Sequence, residues 1–185
     1  FAGEIVNGDS RQVYRGMDIG TAKPSPEERA LVPHHLFDLV GPDQEFNVAL
    51  YQEMAMATIA DILRRGGLPL LVGGSGLYVW AVLEGLRVPR VPPDPAFRRA
   101  MQERADREGS GSLYAELQRL DPEAARRIDP RNVRRAIRAL EVGRATGVPF
   151  SRLQRKGPPP FESLAVGLAL DRRELFRRTD ARLVR

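Results

Sequence analysis

A run of polar and charged side chains follows the first apolar segment of the sequence. Residues 4–6 have the composition of a buried strand, and Asp9, Ser10, Arg11 and Gln12 come shortly after them. The same loop continues with further donors at Arg15, Thr21 and Lys23. Ligands of open α/β sheets bind beyond the carboxyl ends of the strands, and a carboxylate there could act as a general base. A lone Asp in a turn is also a common capping residue, but so many donors favour an anion or base site.

A glycine-rich turn follows another apolar segment. Residues 68–72 predict a buried strand, and Ser75 then lies among Gly73, Gly74 and Gly76 before a helical pattern begins. Glycines at a helix N-terminus let a phosphate approach backbone N–H groups, although such turns are also ordinary connectors. The sequence contains no Gly-x-x-x-x-Gly-Lys-Ser/Thr motif, so it carries no Walker A loop.

The third candidate is an arginine-rich helix. Arg131, Arg134, Arg135 and Arg138, here called the arginine row, fall on one face of a helical pattern whose other face is apolar. Residues 126–144 hold seven arginines and only two acidic residues, so few partners one turn away neutralise them. A solvated basic face is the ordinary interpretation, yet an unpaired row also fits a phosphate backbone. We therefore expect nucleic acid as a partner.

Composition is typical of a globular protein. Of 185 residues, 42% are hydrophobic and 29% charged. We expect neither a membrane span, which needs about eighteen consecutive apolar residues, nor a leader. The absence of cysteine excludes disulfides and thiol catalysis and favours a cytoplasmic location. Residues 1–90 carry 8 Lys/Arg against 11 Asp/Glu, whereas residues 91–185 carry 21 against 13, so the positive charge lies in the second half.

Strand and helix patterns alternate along the chain, which predicts an α/β fold with a mostly parallel sheet. Buried-strand patterns occur at residues 4–6, 35–40, 68–72 and 164–170. Helices are expected after the Ser25 cap and over residues 47–65. His34 and His35 are adjacent, so on a strand they point to opposite faces, and we expect structural roles for them instead of one metal site.

A proline-rich segment at residues 88–95 predicts a border between two parts of the chain. Short helices are expected to follow it, and their predicted N-caps are Asp94, Ser112, Asp121 and Asp129. We predict an α/β core over residues 1–90, a helical insertion over residues 91–160 and a return to the core over residues 161–185. The sequence does not begin with Met and ends in an uncapped helical pattern, so we expect an internal piece of a longer protein.

Five strings of the sequence, in this order, resemble the tRNA dimethylallyltransferase family, also called tRNA isopentenyltransferases. They are DSRQVYRGMDIGTAKP from Asp9, HHLFDLVGPDQEF from His34, LLVGGSGLY from Leu70, DPRNVRRAIRALEV from Asp129 and RELFRRTDARL from Arg173. The resemblance implies a P-loop-NTPase-like parallel sheet core with a small helical insertion. It also implies transfer of a dimethylallyl group from its diphosphate, with Mg²⁺, to N6 of the adenosine 3′ of the anticodon. The tRNAs would be those that read codons starting with U, and the enzyme would be a monomer.

The resemblance also implies roles for individual residues. Asp9 would hydrogen-bond the adenine N6 amine and act as the general base. Contact with tRNA is implied for Asp9, Ser10, Arg11, Gln12, Ser75, Arg98, Arg134, Arg135, Ala136, Ile137 and Arg138. Arg182 matches an arginine that binds the leaving diphosphate, and Lys23 is our own candidate for a second diphosphate contact.

The sequence also departs from the family pattern. The family has a phosphate-binding loop before the string that begins at Asp9 and further helices after the last string, and neither is in the sequence. We therefore expect residues 1–185 alone to bind the prenyl diphosphate poorly. Two other interpretations stay open. A P-loop nucleotide or small-molecule kinase predicts ATP turnover that ignores tRNA, and a non-catalytic RNA-binding module predicts function that does not need Asp9.

Overall fold

The structure is a computed structural model that describes residues 2–153, 155–158 and 161–183. The first part contains β1 (Gly3–Asn7), α1 (Pro26–Leu31), β2 (His34–His35), α2 (Val48–Arg64), β3 (Leu68–Val72), α3 (Gly76–Leu83) and β4 (Leu86–Arg87). Then come α4 (Pro95–Glu108), α5 (Ser110–Leu120), α6 (Pro122–Arg127), α7 (Val133–Thr146), α8 (Phe150–Leu153), β5 (Arg155–Lys156) and α9 (Arg172–Leu183). No helix among the described residues is both long and apolar enough to cross a membrane.

A three-stranded parallel sheet organises the first part of the chain, here called the body (β1–β4 and α1–α3). β1 is the middle strand, with β2 on one side and β3 on the other. Its pairing with β3 runs from Gly3 opposite Leu68 to Asn7 opposite Val72. The strands predicted at residues 4–6 and 68–72 are therefore confirmed. Because the two strands are parallel and in register, their carboxyl ends lie at the same edge of the sheet.

The strand predicted at residues 35–40 is wrong after its first residue. Leu36 and Asp38 have positive φ angles of 66° and 54°, which no strand accommodates. Val40 pairs instead with Tyr14 as an isolated bridge. The chain leaves the edge of the sheet here because this segment pairs with the loop that follows β1, and the apolar pattern alone did not reveal that partner.

The strand predicted at residues 164–170 is also wrong. These residues have no regular structure and pair with none of the described strands. Their side chains are open to solvent, with Leu164 90% and Leu168 96% exposed. An apolar run becomes a buried strand only where a neighbouring strand pairs with its backbone N–H and C=O groups. The sequence of the run does not specify that partner.

Helices α4–α8, here called the helical unit, surround a core of their own. Leu113 and Leu117 of α5 pack there against Ile137 and Leu140 of α7. The body has a separate core, and Phe161, which follows the helices in sequence, packs against it. Residues 88–94, here called the linker, join the two and have no regular structure, as predicted. The exact boundaries of two domains stay a prediction.

Two of the four predicted caps in the helical unit are confirmed, since Asp94 caps α4 and Asp121 caps α6. The other two are wrong. Asn132 caps α7 and satisfies a free N–H of its first turn, while Asp129 pairs with the arginine two residues further on. α5 begins before Ser112, whose hydroxyl donates to the carbonyl of Gly109.

Candidate active site

The loops that follow β1 and β3 touch each other. The Gly8 N–H donates to the Val72 carbonyl at 2.7 Å, and the Ser75 N–H donates to the Gly8 carbonyl at 3.2 Å. A Cβ atom at Gly73 would collide with the backbone of Gly8, so only glycine permits this approach. Two sites that the sequence presents separately, the Asp9 loop and the glycine turn, thus form one site.

Two serine hydroxyls fasten the loops together. The Ser75 Oγ accepts a hydrogen bond from the Ser10 N–H at 2.8 Å and donates to the Ser10 Oγ at 3.1 Å. Ser75 is the N-cap residue of α3, yet its side chain makes no capping bond because its hydroxyl is engaged by the other loop. The structure therefore places both serines at the predicted site, where they position the segment that carries Asp9.

The Asp9 carboxylate is partly exposed at this edge of the sheet. One oxygen accepts the Arg11 N–H at 2.7 Å, and the Asp9 N–H donates to the Asn7 side-chain oxygen at 2.9 Å. The second carboxylate oxygen has no hydrogen-bond partner among the residues that the structure describes. A carboxylate held by one oxygen and open at the other can accept a proton or a hydrogen bond from an amino group.

Asn7 and Tyr51 support this loop, and the sequence analysis did not identify either residue. Asn7 is fully buried, and its side-chain amide donates to the carbonyls of Asp9 and Leu36, at 3.1 and 3.0 Å. The Tyr51 hydroxyl donates to the Asn7 carbonyl at 2.8 Å. An amide side chain at the end of a buried strand is itself a signal, because buried polar groups need partners. Tyr51 gave no such signal, since it continues the apolar stripe of α2.

Tyr78 connects the site to the core. Its ring stacks on Tyr51, with the centroids 4.0 Å apart. Burial raises the pKa of Tyr78 to about 12, with smaller contributions from Tyr14 and Asp9 that are opposed by the exposed Arg11. Those three side chains therefore all lie within electrostatic reach of the Tyr78 hydroxyl.

Lys23 closes the far end of the polar loop (residues 9–24). Its ammonium contacts the Tyr14 carbonyl at 2.7 Å and the carboxylates of Asp18 and Asp38 at 2.6 Å each, and its side chain is 2% exposed. Burial by itself would lower the pKa of Lys23, but the two carboxylates outweigh it and the pKa is raised. The predicted diphosphate contact would require this ammonium to exchange one of its three partners.

Gln12 also works inside the polar loop. Its side-chain amide donates to the carbonyls of Thr21 and Ala22, at 2.9 and 3.2 Å. The loop is thus fastened across its middle by Gln12 and at its end by Lys23. Among the described residues of this loop, the exposed Arg11 makes no side-chain hydrogen bond and Asp9 keeps one oxygen open, whereas the exposed Arg15 donates through one nitrogen to the carbonyls of Asp38 and Leu39.

A cleft of about 770 Å³ lies between the body and the linker. Tyr14, Phe46 and Glu53 line it from the body, and Arg98 and Arg138 line it from the helical unit. The body therefore contributes two aromatic rings together with the carboxylates of Asp43, Glu45 and Glu53, and the arginines come from the linker and the helical unit. Aromatic rings and arginines are groups on which a nucleobase can stack.

The structure divides the predicted RNA contacts of α7 into two groups. Arg134 and Arg135 are exposed, and their guanidinium groups have no ion pair or hydrogen bond with a described residue. Ala136 and Ile137 are buried in the core of the helical unit, so their side chains are not available to RNA. The helical spacing that exposes the two arginines buries their neighbours.

Several arginines that looked unpaired in the sequence have partners. Arg127 pairs with Glu123, and Arg131 pairs with Asp129 at 2.8 Å. The guanidinium of Arg144 lies 4.9 Å from the centre of the Phe97 ring. Arg98 and Arg138 both pair with Glu141, at 2.7 and 2.6 Å. Fewer of these arginines are therefore available to a ligand than their number in the sequence indicates.

Other candidate residues lie apart from these contacts. Arg182 is exposed in the last turn of α9, with no hydrogen bond to a residue in the described part of the chain. His35 contacts Glu4 at 2.7 Å, and His34 contacts the Val32 carbonyl at 2.8 Å, so both make internal contacts. Within the described residues, no group of three or more His, Asp or Glu side chains could hold a metal ion.

Solved structures share this architecture. The chain superposes with a TM-score of 0.76 and 29% identity on a eukaryotic dimethylallyltransferase acting on tRNA, over 99% of this chain and 46% of that one. It superposes with a TM-score of 0.59 and 41% identity on the tRNA isopentenylpyrophosphate transferase of Bacillus halodurans, over 98% and 56%. These likenesses confirm the predicted class, an α/β protein with a P-loop-NTPase-like parallel sheet and a helical insertion.

Sequence comparison gives the family. A family model described as IPP transferase matches residues 12–185. The chain is 57% identical over 183 residues to the tRNA dimethylallyltransferase of Roseiflexus castenholzii and 55% identical to that of Chloroflexus aggregans. The chain belongs to the IPP transferase family, so the resemblance carried by the five strings is confirmed. The matches include 99% of this chain, but the chain spans only about 60% of the length of these relatives.

Proposed function

We propose that this chain belongs to an enzyme that transfers a dimethylallyl group to tRNA. The acceptor is N6 of the adenosine 3′ of the anticodon, in tRNAs that read codons starting with U, and the donor is dimethylallyl diphosphate. The observation that carries the proposal is the Asp9 carboxylate, held by the Arg11 N–H with one oxygen open at the edge shared by β1 and β3. Membership of the IPP transferase family supports it.

The proposed reaction is a displacement at a primary allylic carbon. The bond between the adenine N6 and that carbon forms, the bond from the carbon to the diphosphate oxygen breaks, and the N6 proton passes to Asp9. The adenine amine is a poor nucleophile because its lone pair is delocalised into the ring, so a carboxylate in hydrogen-bond reach lowers the barrier. The diphosphate leaves with the electron pair and needs cationic groups around it.

Binding of tRNA is assigned to the cleft and to the exposed arginines of α7. The target base must leave the anticodon stack to reach Asp9, which costs a few kcal/mol. The exposed Arg134 and Arg135 can offset that cost through contacts with the phosphate backbone. Arg11 extends the positive charge to the catalytic edge.

The proposal assigns Mg²⁺ to the diphosphate. Mg²⁺ usually binds through one or two carboxylates together with substrate phosphates, and the described residues offer no ready-made cluster. When bound, it would neutralise charge on the leaving group. Arg182 is the proposed protein contact of the same group. We further propose that the enzyme acts as a monomer in the cytoplasm, where its tRNA substrate is found.

The test uses a full-length form in which residues 1–185 replace the matching region of the Roseiflexus castenholzii relative. It is incubated with dimethylallyl diphosphate, Mg²⁺ and unmodified tRNA, and N6-prenyl adenosine is measured in the digested RNA. Asp9→Asn is expected to lower kcat by about 10²–10⁴-fold while tRNA binding is retained, because only proton transfer is lost. The matched control is Asp106→Asn, an exposed carboxylate on α4, which leaves kcat unchanged.

The other outcomes separate the alternatives. Unchanged product with Asp9→Asn would refute Asp9 as the base. ATP turnover that does not respond to tRNA would support a kinase. Binding of tRNA without any prenyl product would support an RNA-binding module.

A further inference from the structure

A buried carboxylate lies where the helical unit meets the linker. Glu141 of α7 is 2% exposed. One of its oxygens accepts the Asp94 N–H at 2.8 Å and the Arg98 Nε–H at 2.7 Å, and the other accepts from the Arg98 and Arg138 guanidinium groups at 2.8 and 2.6 Å. A single side chain thus joins α7 to the first turn of α4 and its N-cap residue.

The network continues into the linker. A second nitrogen of Arg138 donates to the Val91 carbonyl at 3.0 Å and to the Pro89 carbonyl at 3.4 Å. The linker has no regular structure, so these contacts take the place of a helix or sheet ladder there. Since Arg98 and Arg138 also line the cleft, the network forms part of the cleft wall.

Glu141 is charged at neutral pH because of these partners. Burial by itself would raise its pKa, but Arg98, the Asp94 N–H and Arg138 together lower the pKa of Glu141 to about 2. A buried charge deprived of one partner is strongly unfavourable, so each of the two arginines is held at this carboxylate. The bidentate contact of Arg98 adds a fixed geometry that a single point charge lacks.

The same helix carries arginines of the opposite kind. Arg134 and Arg135 are exposed and make no side-chain contact with a described residue. Of the arginines with an implied tRNA contact, Arg134 and Arg135 lack a described partner, whereas Arg98 and Arg138 pair with Glu141 while 45% and 30% of their side chains stay exposed. Family resemblance implied that all of them contact tRNA, and the contacts of Arg98 and Arg138 indicate another role.

We propose that Glu141 is a positioning residue that acts through Arg98 and Arg138. It fixes the linker and the start of α4 against α7, and this sets where the exposed arginines stand relative to the cleft. The consequence for RNA rests on the proposed function, whereas the consequence for the linker does not.

The first experiment measures how firmly the end of the linker is held, through amide hydrogen exchange. In the full-length form, Glu141→Gln is expected to speed hydrogen exchange of the Asp94 amide, the linker N–H that donates to Glu141, at least tenfold, with the core of α5 unchanged. The same variant is expected to raise KM for tRNA about tenfold and to change kcat at saturating tRNA less than twofold. The dependence of tRNA affinity on salt stays the same, because no phosphate contact is removed.

The second experiment uses the geometry of Arg98 and stays informative if Glu141→Gln folds poorly. Arg98→Lys keeps the charge but loses the bidentate contact, so it is expected to raise KM for tRNA as Glu141→Gln does. The double variant is expected to be no worse than Glu141→Gln alone, since that variant already disturbs the carboxylate contact of Arg98. The matched control is Arg119→Lys, at an exposed arginine of α5 outside the network and the proposed tRNA contacts, which is expected to leave KM within about twofold.

The proposal is overturned if Glu141→Gln leaves exchange at Asp94 unchanged. It is also overturned if Arg98→Lys is harmless while Arg98→Gln lowers the salt slope by about one, since that result makes Arg98 a direct phosphate contact. Faster exchange in a protein that binds no tRNA even when unaltered would leave the positioning role of Glu141 intact and refute the proposed function instead.

Discussion

Individual residues of the site act mainly on one another. Lys23 and Gln12, which the sequence presents as donors for a ligand, hold the polar loop closed. Ser75 fastens Ser10, and Asn7 fastens Asp9. These contacts preorganise one carboxylate, and a base held in place before substrate arrives loses less orientational freedom in the reaction.

Gly73 offers a test at the scale of a single residue. Gly73→Ala would push the loops after β1 and β3 apart, so we expect a loss of about 1–3 kcal/mol in the free energy of unfolding and a lower kcat. Gly74→Ala is the matched control, because a Cβ atom there meets nothing within 4 Å. Urea unfolding and the prenyl transfer assay measure both effects. Equal stability of the two variants would contradict the close contact with Gly8.

At the scale of elements, the 14 residues of α7 place their side chains in three different environments. Its apolar face fills the core of the helical unit, Glu141 and Arg138 hold the linker, and Arg134 and Arg135 face solvent. The sequence pattern predicted the apolar and basic faces correctly. It did not reveal that Arg138, the last arginine of the row, is engaged within the protein. Arg138 pairs with Glu141 of the same helix, but the linker carbonyls of Pro89 and Val91 that it also contacts are distant in sequence.

Arg134 and Arg135 provide the prediction at this scale. Replacing both with Gln in the full-length form is expected to weaken tRNA binding and to reduce the slope of log K against log salt by about 0.7–0.9 per lost phosphate contact. Filter binding at several KCl concentrations measures the slope. Arg119→Gln, at an exposed arginine of α5, is the control. An unchanged slope in the double variant would show that this face is merely solvated.

At the scale of the whole molecule, the sheet edge that carries Asp9 and the basic face of α7 belong to different parts of the chain. Asp9 lies in the body, Arg134 lies in the helical unit, and the linker joins the two parts in sequence. Acidic residues outnumber basic ones in residues 1–90 and the reverse holds in residues 91–185, so the uneven charge follows this division of the chain. The RNA substrate that we propose would contact both parts.

The chain's own capacity is testable at the same scale. It has no Walker A motif and spans about 60% of the length of its relatives. We therefore expect residues 1–185 alone to bind dimethylallyl diphosphate too weakly for calorimetry, whereas the full-length form binds it. Titration of both proteins in the presence of Mg²⁺ makes the comparison. Strong turnover by residues 1–185 alone would contradict this prediction.

The sequence by itself determined the fold class, the strands β1 and β3, the long helices and the family. It also determined that Asp9 follows a strand and that α7 has a basic face. These features are local, because hydrophobic periodicity and capping residues act within a few positions of the chain.

Only the tertiary structure decided which charged groups are free. Lys23 and Arg98 are residue types that often bind ligands, but Lys23 is bound to Asp38, 15 positions away, as well as to Asp18, and Arg98 is bound to Glu141, 43 positions away. The early end of β2 and the unpaired residues 164–170 likewise depend on partners that no local pattern specifies. Contacts between distant residues occupy hydrogen-bond donors and pair strands. For this reason, only the folded chain shows that one oxygen of Asp9 is open and that Arg134 and Arg135 are exposed.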